Sequence, residues 1–176
     1  MRSRAVLSVL GFGVAALAAI AGLGWVGGFR LNATPSYPLG LWRIERPVAL
    51  IKVGDLVFIC MPPGAGLTLG LSRRYLRPGL CRGGAGPLIK AVAALPGQHV
   101  EVGRSVTIDG RPLDHSRVSR ADAEGRALAP HAGGVIPPGH LYLHSNYAGS
   151  YDSRYFGPLP EAGVLGLARP IATFDP

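Results

Sequence analysis

A serine in a proline-rich segment and a lysine in an apolar run are the residues of this chain whose types could do chemistry together. Ser36 lies between two prolines in the stretch 31–40, which the prolines should keep irregular and in a loop. Lys90 lies in the apolar run 88–95, and all the basic residues other than Lys52 and Lys90 are arginine. Lysine can lose its proton when its surroundings desolvate it, whereas arginine stays charged.

A serine hydroxyl is a weak nucleophile that needs a neighbouring base, and a neutral lysine can replace histidine as that base. The sequence therefore predicts a peptidase in which Ser36 attacks and Lys90 takes the proton. Thr34 precedes Ser36 by two residues, so its hydroxyl could join the Ser36 backbone N–H as an oxyanion donor.

Each of these residues also has a structural interpretation. Ser36 could be a turn serine that bonds its own backbone, and Lys90 could extend its ammonium to water from an edge strand. His144 and Asp152 could in principle form a Ser/His/Asp set with Ser36, but Lys90 would then have no role.

The elements that must position these side chains are predicted to be mostly β. The 26 glycines and 16 prolines favour short strands joined by loops, and the strands suit a partly open β-barrel. A short helix is predicted over 67–76 and a long loop over 114–134. Strands are predicted over 41–46, 55–60, 88–95, 99–102, 105–108, 140–144 and 164–174.

The N-terminal region reads as a membrane anchor. Residues 5–29 contain no charged side chain, and such a run is long enough to cross a hydrocarbon core of about 30 Å. Arg2 and Arg4 precede it, which favours a cytoplasmic N-terminus. We therefore expect a cytoplasmic tip and transmembrane anchor over 1–30 and a periplasmic peptidase domain over 31–176, in a single-pass protein of the inner (cytoplasmic) membrane. A cleavable signal peptide is the alternative.

The composition limits which binding partners and cofactors are expected. The formal net charge of +8 comes from scattered arginines without a nucleic-acid-binding motif, so the partner is predicted to be membrane lipid or an acidic protein instead of nucleic acid. The five histidines lack metal-ligand spacing, and we expect no metal and no cofactor. Cys60 and Cys81 can pair in an exported domain, which would close a loop of about twenty residues.

Four ordered motifs resemble the conserved boxes of the type I signal peptidases, and in particular the TraF branch of conjugative-transfer peptidases that mature plasmid pilins. The resemblance extends from the N-terminal apolar run to about Gly166. The motifs are Asn32-x-Thr34-x-Ser36-x-Pro38-x-Gly40, Gly54-Asp55-Leu56-Val57, Ile89-Lys90-x-Val92-x-x-Leu95-Pro96-Gly97 and Ser150-x-Asp152-Ser153-Arg154-Tyr155-Phe156-Gly157-Pro158.

The resemblance implies a signal-peptidase/LexA-like fold and assigns a role to each matching residue. Ser36 would be the nucleophile, Lys90 the general base, and Thr34 an oxyanion donor. Asp152 and Arg154 would brace the site, and Ser153 would orient the lysine. The predicted site therefore consists of Ser36, Lys90, Thr34 and these three supporting residues.

The function implied is a membrane-anchored endopeptidase that cleaves a conjugative prepilin through a Ser36 acyl-enzyme. Attack on that acyl-enzyme by the substrate's own amino terminus would instead give a cyclic pilin. The alternatives are a general type I signal peptidase acting on many preproteins and a non-enzymatic assembly protein of the conjugation (type IV secretion) machinery.

Overall fold

The computed structural model describes residues 2–175, with side chains described from residue 10 onward. The helices in this part of the chain are α1 (Arg2–Val26), α2 (Ala65–Ser72) and α3 (Ser153–Phe156), with a 3₁₀ turn at Glu161–Gly163. The strands are β1 (Phe29–Asn32), β2 (Leu39–Glu45), β3 (Leu56–Ile59), β4 (Leu88–Ala94), β5 (His99–Val102), β6 (Val106–Ile108), β7 (Arg111–Pro112), β8 (Gly134–Val135), β9 (His140–His144), β10 (Leu159–Pro160) and β11 (Val164–Phe174).

Between residues 2 and 175 the strands form two sheets. The larger has the order β1-β2-β11-β3-β4-β9-β10, and the smaller has the order β7-β6-β5-β8. Neighbouring strands are antiparallel throughout. The prediction of a mostly-β fold is confirmed.

The middle of the larger sheet carries the predicted lysine. Lys90 on β4 is paired with Val57 on β3, and its neighbour Ala91 is paired with His144 on β9. Successive side chains of a strand point to opposite faces, so Ile89 and Lys90 face different sides of the sheet. Both faces are covered, which is why a side chain on β4 can be removed from water.

Among residues 10–175, three groups of buried side chains form the core. One lies on the face of the larger sheet that α2 covers and includes Val57, Ile59, Leu67, Val92 and Leu143. A second lies on the opposite face and includes Trp42, Phe58, Ile89 and Ala168. The third connects the two sheets through Ala94, Val100, Val106, Ile136 and Tyr142.

Most predicted elements are present with shifted ends, but the stretch 31–40 was not wholly irregular as predicted. Its first two residues belong to β1 and its last two to β2, and the prolines occupy only the connection between them. The predicted helix begins and ends earlier, at Ala65 and Ser72. The long loop at 114–134 contains an isolated bridge between Ala121 and Ala127 and reaches β8 at its end.

The predicted transmembrane anchor is contradicted. Within the described residues, no helix combines the length and the apolar character needed to cross a membrane. The apolar run was counted to Phe29, but α1 ends at Val26 and Phe29 begins β1. The predicted single-pass location in the inner membrane is contradicted by the same finding. The division of the chain into 1–30 and 31–176 stays a prediction.

The two cysteines are joined in a disulfide in the structure, with their Cα atoms 5.6 Å apart. Cys60 directly follows β3, and Cys81 lies in the glycine-rich connection between α2 and β4. The bond therefore ties the segment containing α2 to a central strand of the larger sheet.

Candidate active site

The residues between β1 and β2, 33–38, form a short connection that we call the serine loop. Ser36 lies in it and is half-buried. The side-chain amide of Asn32, the last residue of β1, holds the loop together: its Oδ1 accepts from the backbone N and the Oγ1 of Thr34, at 3.1 and 2.7 Å. Its Nδ2 donates, at 2.9 to 3.0 Å, to three backbone carbonyl oxygens, those of Thr34, Tyr37 and Pro38.

Gly40 is the second residue of β2 and lies just after the serine loop, where β2 pairs with β11. Its φ of +120° lies in the region that favours glycine, and a Cβ there would clash with the Ala172 carbonyl oxygen. A side chain at this position would therefore push β2 away from β11 and displace the serine loop.

Lys90 is buried, with only 3% of its surface exposed, and its Nζ donates to Ser150 Oγ at 2.8 Å. Burial lowers the pKa of Lys90 to about 8; Asp152 opposes this effect and Arg154 adds to it. Within residues 10–175, no carboxylate oxygen lies within 4.0 Å of Nζ. An amine in this environment holds its proton weakly.

The serine next to the lysine differs from the predicted one. Ser153 was predicted to orient Lys90, but its Oγ accepts a hydrogen bond from the backbone N of Leu143 at 2.9 Å. Ser150, three residues earlier, holds the position beside Nζ. Ser153 is instead the first residue of α3 and points toward β9.

Asp152 and Arg154 form a fully buried ion pair. The guanidinium donates to both carboxylate oxygens, Nε to Oδ1 and Nη2 to Oδ2, at 2.8 Å each. Burial acts to raise the pKa of Asp152, but the neighbouring side chains of His144 and Arg154 outweigh it and hold the pKa at about 2. The same guanidinium also donates to three backbone carbonyl oxygens, those of Arg117, Tyr147 and Ser150.

These bonds give the pair a structural function. A buried ion pair offsets its desolvation cost only when further hydrogen bonds satisfy both groups, as they do here. Because Arg154 bonds the backbone of Ser150, the pair fixes the residue whose hydroxyl contacts Lys90.

A Ser/His/Asp set is not assembled. His144 is buried and its Nδ1 lies 3.5 Å from Asp152 Oδ2, yet neither ring nitrogen has a hydrogen-bond partner among the described residues, Ser36 included. Nor does any group of three or more His, Cys, Asp or Glu side chains in this part of the chain lie close enough together to hold a metal ion.

The serine loop is attached to the strand next to that of Lys90. Ser145 Oγ donates to the backbone O of Ser36 at 2.7 Å, and Tyr37 Oη donates to the backbone O of His144 at 3.3 Å. Ser36 Oγ and Lys90 Nζ form no direct hydrogen bond with each other, and Nζ donates to Ser150 Oγ. The two predicted catalytic residues thus lie on connected elements.

Comparisons with known proteins show the family of the chain. A family model described as "Signal peptidase, peptidase S26" matches residues 2–172. The chain belongs to the signal peptidase S26 family. The resemblance to the TraF-type members of this family, predicted from the motifs, is confirmed by full-length relatives.

One such relative is a conjugal transfer protein TraF of Agrobacterium fabrum, 55% identical over 176 residues and covering 100% of both chains. A probable conjugal transfer protein TraF of Sinorhizobium fredii is 50% identical over 96% of this chain and 90% of its own. A plasmid transfer protein TraF of Escherichia coli is 32% identical over 94% and 93%. A solved signal peptidase I from Enterococcus faecalis is 20% identical, covers 70% of this chain and 97% of its own, and gives a TM-score of 0.41.

Sequence reasoning missed several residues that shape the site. Ser150 stands in the quoted motif, but a contact between residues 90 and 150 leaves no local signal in the sequence. Asn32 has a signal, because an Asn two residues before a turn threonine is typical of a side chain that bonds the backbone ahead of it. The contacts of Ser145 and of the Tyr37 hydroxyl have no such signal in the sequence.

Proposed function

We propose that this protein is a serine endopeptidase of a conjugation apparatus, which matures a prepilin through an acyl-enzyme on Ser36 with Lys90 as general base. The observation that carries the proposal is the buried Lys90 amine, bonded to Ser150 at 2.8 Å, with a pKa lowered to about 8. Membership of the signal peptidase family supports the peptidase activity. The names of the relatives support the conjugation context.

In the first step the neutral Lys90 Nζ accepts the proton of Ser36 Oγ while Oγ attacks the scissile carbonyl carbon. The tetrahedral intermediate then collapses, its C–N bond breaks, and the Lys90 ammonium returns the proton to the leaving amine. Ser150 stabilises both forms of the lysine, because its hydroxyl can accept from the ammonium or donate to the amine.

The negative oxygen of the intermediate needs donors. The backbone N–H of Ser36 is one, and the hydroxyl of Thr34 is the proposed second. Thr34 Oγ1 donates to Asn32 Oδ1 in the structure, so it serves only if that bond is exchanged for one to the substrate.

The acyl-enzyme has two outcomes. Water attack releases a shortened linear pilin, whereas attack by the pilin's own amino group forms an amide and releases a cyclic product. Either attack breaks the ester to Ser36 Oγ, which takes back a proton through Lys90. Beyond the substrate, the conjugation machinery and membrane lipid stay predicted partners.

The test is the intact mass of a candidate plasmid pilin from cells that express it with this protein or a variant. Ser36→Ala and Lys90→Arg should leave the precursor uncleaved, since the first removes the nucleophile and the second keeps a charged group that cannot act as a base. Lys52→Arg is the matched control, because Lys52 is the other lysine and is exposed.

The masses also separate the alternatives. A cleaved product lighter by one further water would indicate cyclisation. Equal processing by the unaltered protein and Ser36→Ala would overturn the proposal and favour the non-enzymatic assembly protein. Cleavage of many unrelated preproteins would favour a general signal peptidase.

A further inference from the structure

Two pairs of adjacent residues exchange hydrogen bonds across the site. Ser36 and Tyr37 are neighbours in the serine loop, and His144 and Ser145 are neighbours at the end of β9. The hydroxyl of Ser145 donates to the Ser36 carbonyl at 2.7 Å, while the hydroxyl of Tyr37 donates back to the His144 carbonyl at 3.3 Å. We call these two bonds the clamp.

Ser145 is held in place by burial and by hydrogen bonds other than the clamp. Ser145 is fully buried, and its backbone N donates to Asp152 Oδ2 at 3.3 Å, which ties it to the Asp152–Arg154 pair. Its Oγ also accepts from the backbone N of Tyr147 at 3.2 Å, so the hydroxyl proton is free to point at the Ser36 carbonyl.

The Tyr37 side is held as well. Its ring packs edge-on against Trp42, whose Nε1 donates to the Pro38 carbonyl at 2.9 Å. Burial raises the pKa of Tyr37 to about 12, so its hydroxyl stays a donor at any working pH.

The clamp has a direct consequence for the distance between nucleophile and base. His144 is the register partner of Ala91, the residue after Lys90, so a bond to the end of β9 fixes the serine loop relative to β4. Ser36 and Lys90 do not bond each other directly, so this connection through β9 supplements the route through β2, β11 and β3 that also joins the serine loop to β4.

We infer that Ser145 and Tyr37 are positioning residues, which hold the Ser36 backbone at the correct distance from the Lys90 amine. The inference rests on the proposed function and names which of this chain's own residues align its dyad. Neither hydroxyl takes part in proton transfer. Both act through the backbone of residues 36 and 144.

The test is steady-state cleavage of the candidate pilin precursor by Ser145→Ala and Tyr37→Phe, each normalised to its folded fraction from urea unfolding. We expect kcat to fall by roughly 10- to 100-fold with KM little changed, since a misplacement of about 1 Å can cost that much. The midpoint of the pH–rate profile should stay where it is in the unaltered protein, because Lys90 keeps its surroundings. The double variant should lose less than the product of the two single losses.

Matched controls separate positioning from general destabilisation. Ser116→Ala removes an equally buried serine whose hydroxyl bonds backbone in the smaller sheet. Tyr75→Phe removes the hydroxyl of another half-buried tyrosine, which bonds the distant Asp122. Both should keep kcat within about twofold per folded molecule.

The outcomes distinguish the inference from the function on which it rests. If Ser36→Ala is inactive while Ser145→Ala and Tyr37→Phe both keep the kcat of the unaltered protein, the clamp is overturned and the dyad stands. If Ser36→Ala cleaves normally, the proposed function itself is overturned. Restored kcat in Ser145→Thr, which keeps the hydroxyl, would support the clamp further.

Discussion

Among single residues, Lys90 decides when the proposed chemistry can occur. Its pKa of about 8 means that most molecules carry a protonated, inactive lysine at pH 7. We therefore predict that kcat/KM rises with pH through a midpoint near 8 and then levels off, since deprotonation supplies the base. The measurement is the pH–rate profile of pilin cleavage.

The pH–rate profile of Ser150→Ala, measured in the same buffers, is compared with that of the unaltered protein. Loss of the Ser150 hydroxyl should lower the rate at every pH, because Nζ loses its hydrogen-bonded partner. A midpoint far from 8 in the pH–rate profile of the unaltered protein would mean that Lys90 is not the base.

The buried Lys90 should also lower the free energy of unfolding of the protein. The folded-state pKa of about 8 lies below the ordinary value of 10.5, so the cost is fully present below about pH 8 and vanishes above about pH 10.5. Lys90→Met should thus raise the free energy of unfolding by about 3 kcal/mol at pH 7, at about 1.4 kcal/mol for each pH unit between the two values.

Urea unfolding at pH 7 and at pH 10.5 measures this effect. The gain from Lys90→Met should shrink toward zero at the higher pH, where the unaltered lysine is neutral in the folded protein and only half protonated in the unfolded chain. A gain of equal size at both values would mean that packing and not desolvation is responsible.

The residues that could be predicted from sequence are those whose type is unusual for their surroundings. A lysine in an apolar strand and a serine between prolines are visible locally, and the four motifs add Thr34, Asp152 and Arg154. The positions of Ser150 and Ser145 depend on strand pairing between distant parts of the chain. Serine is common at turns, so its type alone does not distinguish a site residue from a structural one.

Among the elements, the serine loop depends on one side chain. Asn32 donates to three carbonyl oxygens and accepts from Thr34. Asn32→Asp would keep the shape of this side chain, but its carboxylate cannot donate to those three oxygens. We predict that amide hydrogen exchange in residues 34–40 rises by roughly tenfold or more, since each lost hydrogen bond is worth about 1 kcal/mol.

Exchange in β4 and β9 serves as the internal reference for Asn32→Asp. Those amides belong to interior strands of the larger sheet and should be protected as before. If the loop amides exchange at the unaltered rate, the backbone of the serine loop holds its shape without Asn32.

Seven of the strands could be predicted because each of them alternates or is continuously apolar over several residues, whereas the two-residue strands β7, β8 and β10 were missed. β1 was missed because it is short and adjoins the prolines of the serine loop, and its pairing with β2 has no signal in its own four residues. The end of α1 was misplaced because the absence of charged residues, which set the bounds 5–29, does not mark where a helix ends. A glycine pair at 27 and 28 does mark it, and Gly28 has a φ of +84°.

In the molecule as a whole, the site and the disulfide occupy different parts of the larger sheet. The serine loop, β4 and β9 carry the proposed chemistry, whereas the disulfide ties β3 to the connection that follows α2. Through Leu67, α2 covers the core face to which Val57 and Val92 contribute. The disulfide should therefore stabilise the covering of this core without contacting the reacting groups.

We predict that Cys60→Ala/Cys81→Ala lowers the free energy of unfolding by about 3 kcal/mol, the value expected when a crosslink between residues 21 apart is lost from the unfolded chain. Urea unfolding measures the loss, and the unaltered protein in reductant should show the same decrease. The kcat per folded molecule should stay within about twofold, because Lys90, Ser150 and the clamp keep their contacts. A loss of kcat beyond tenfold in molecules that are still folded would contradict this prediction. It would mean that the packing of α2 on this face, which the disulfide maintains, is needed to align Ser36 with Lys90.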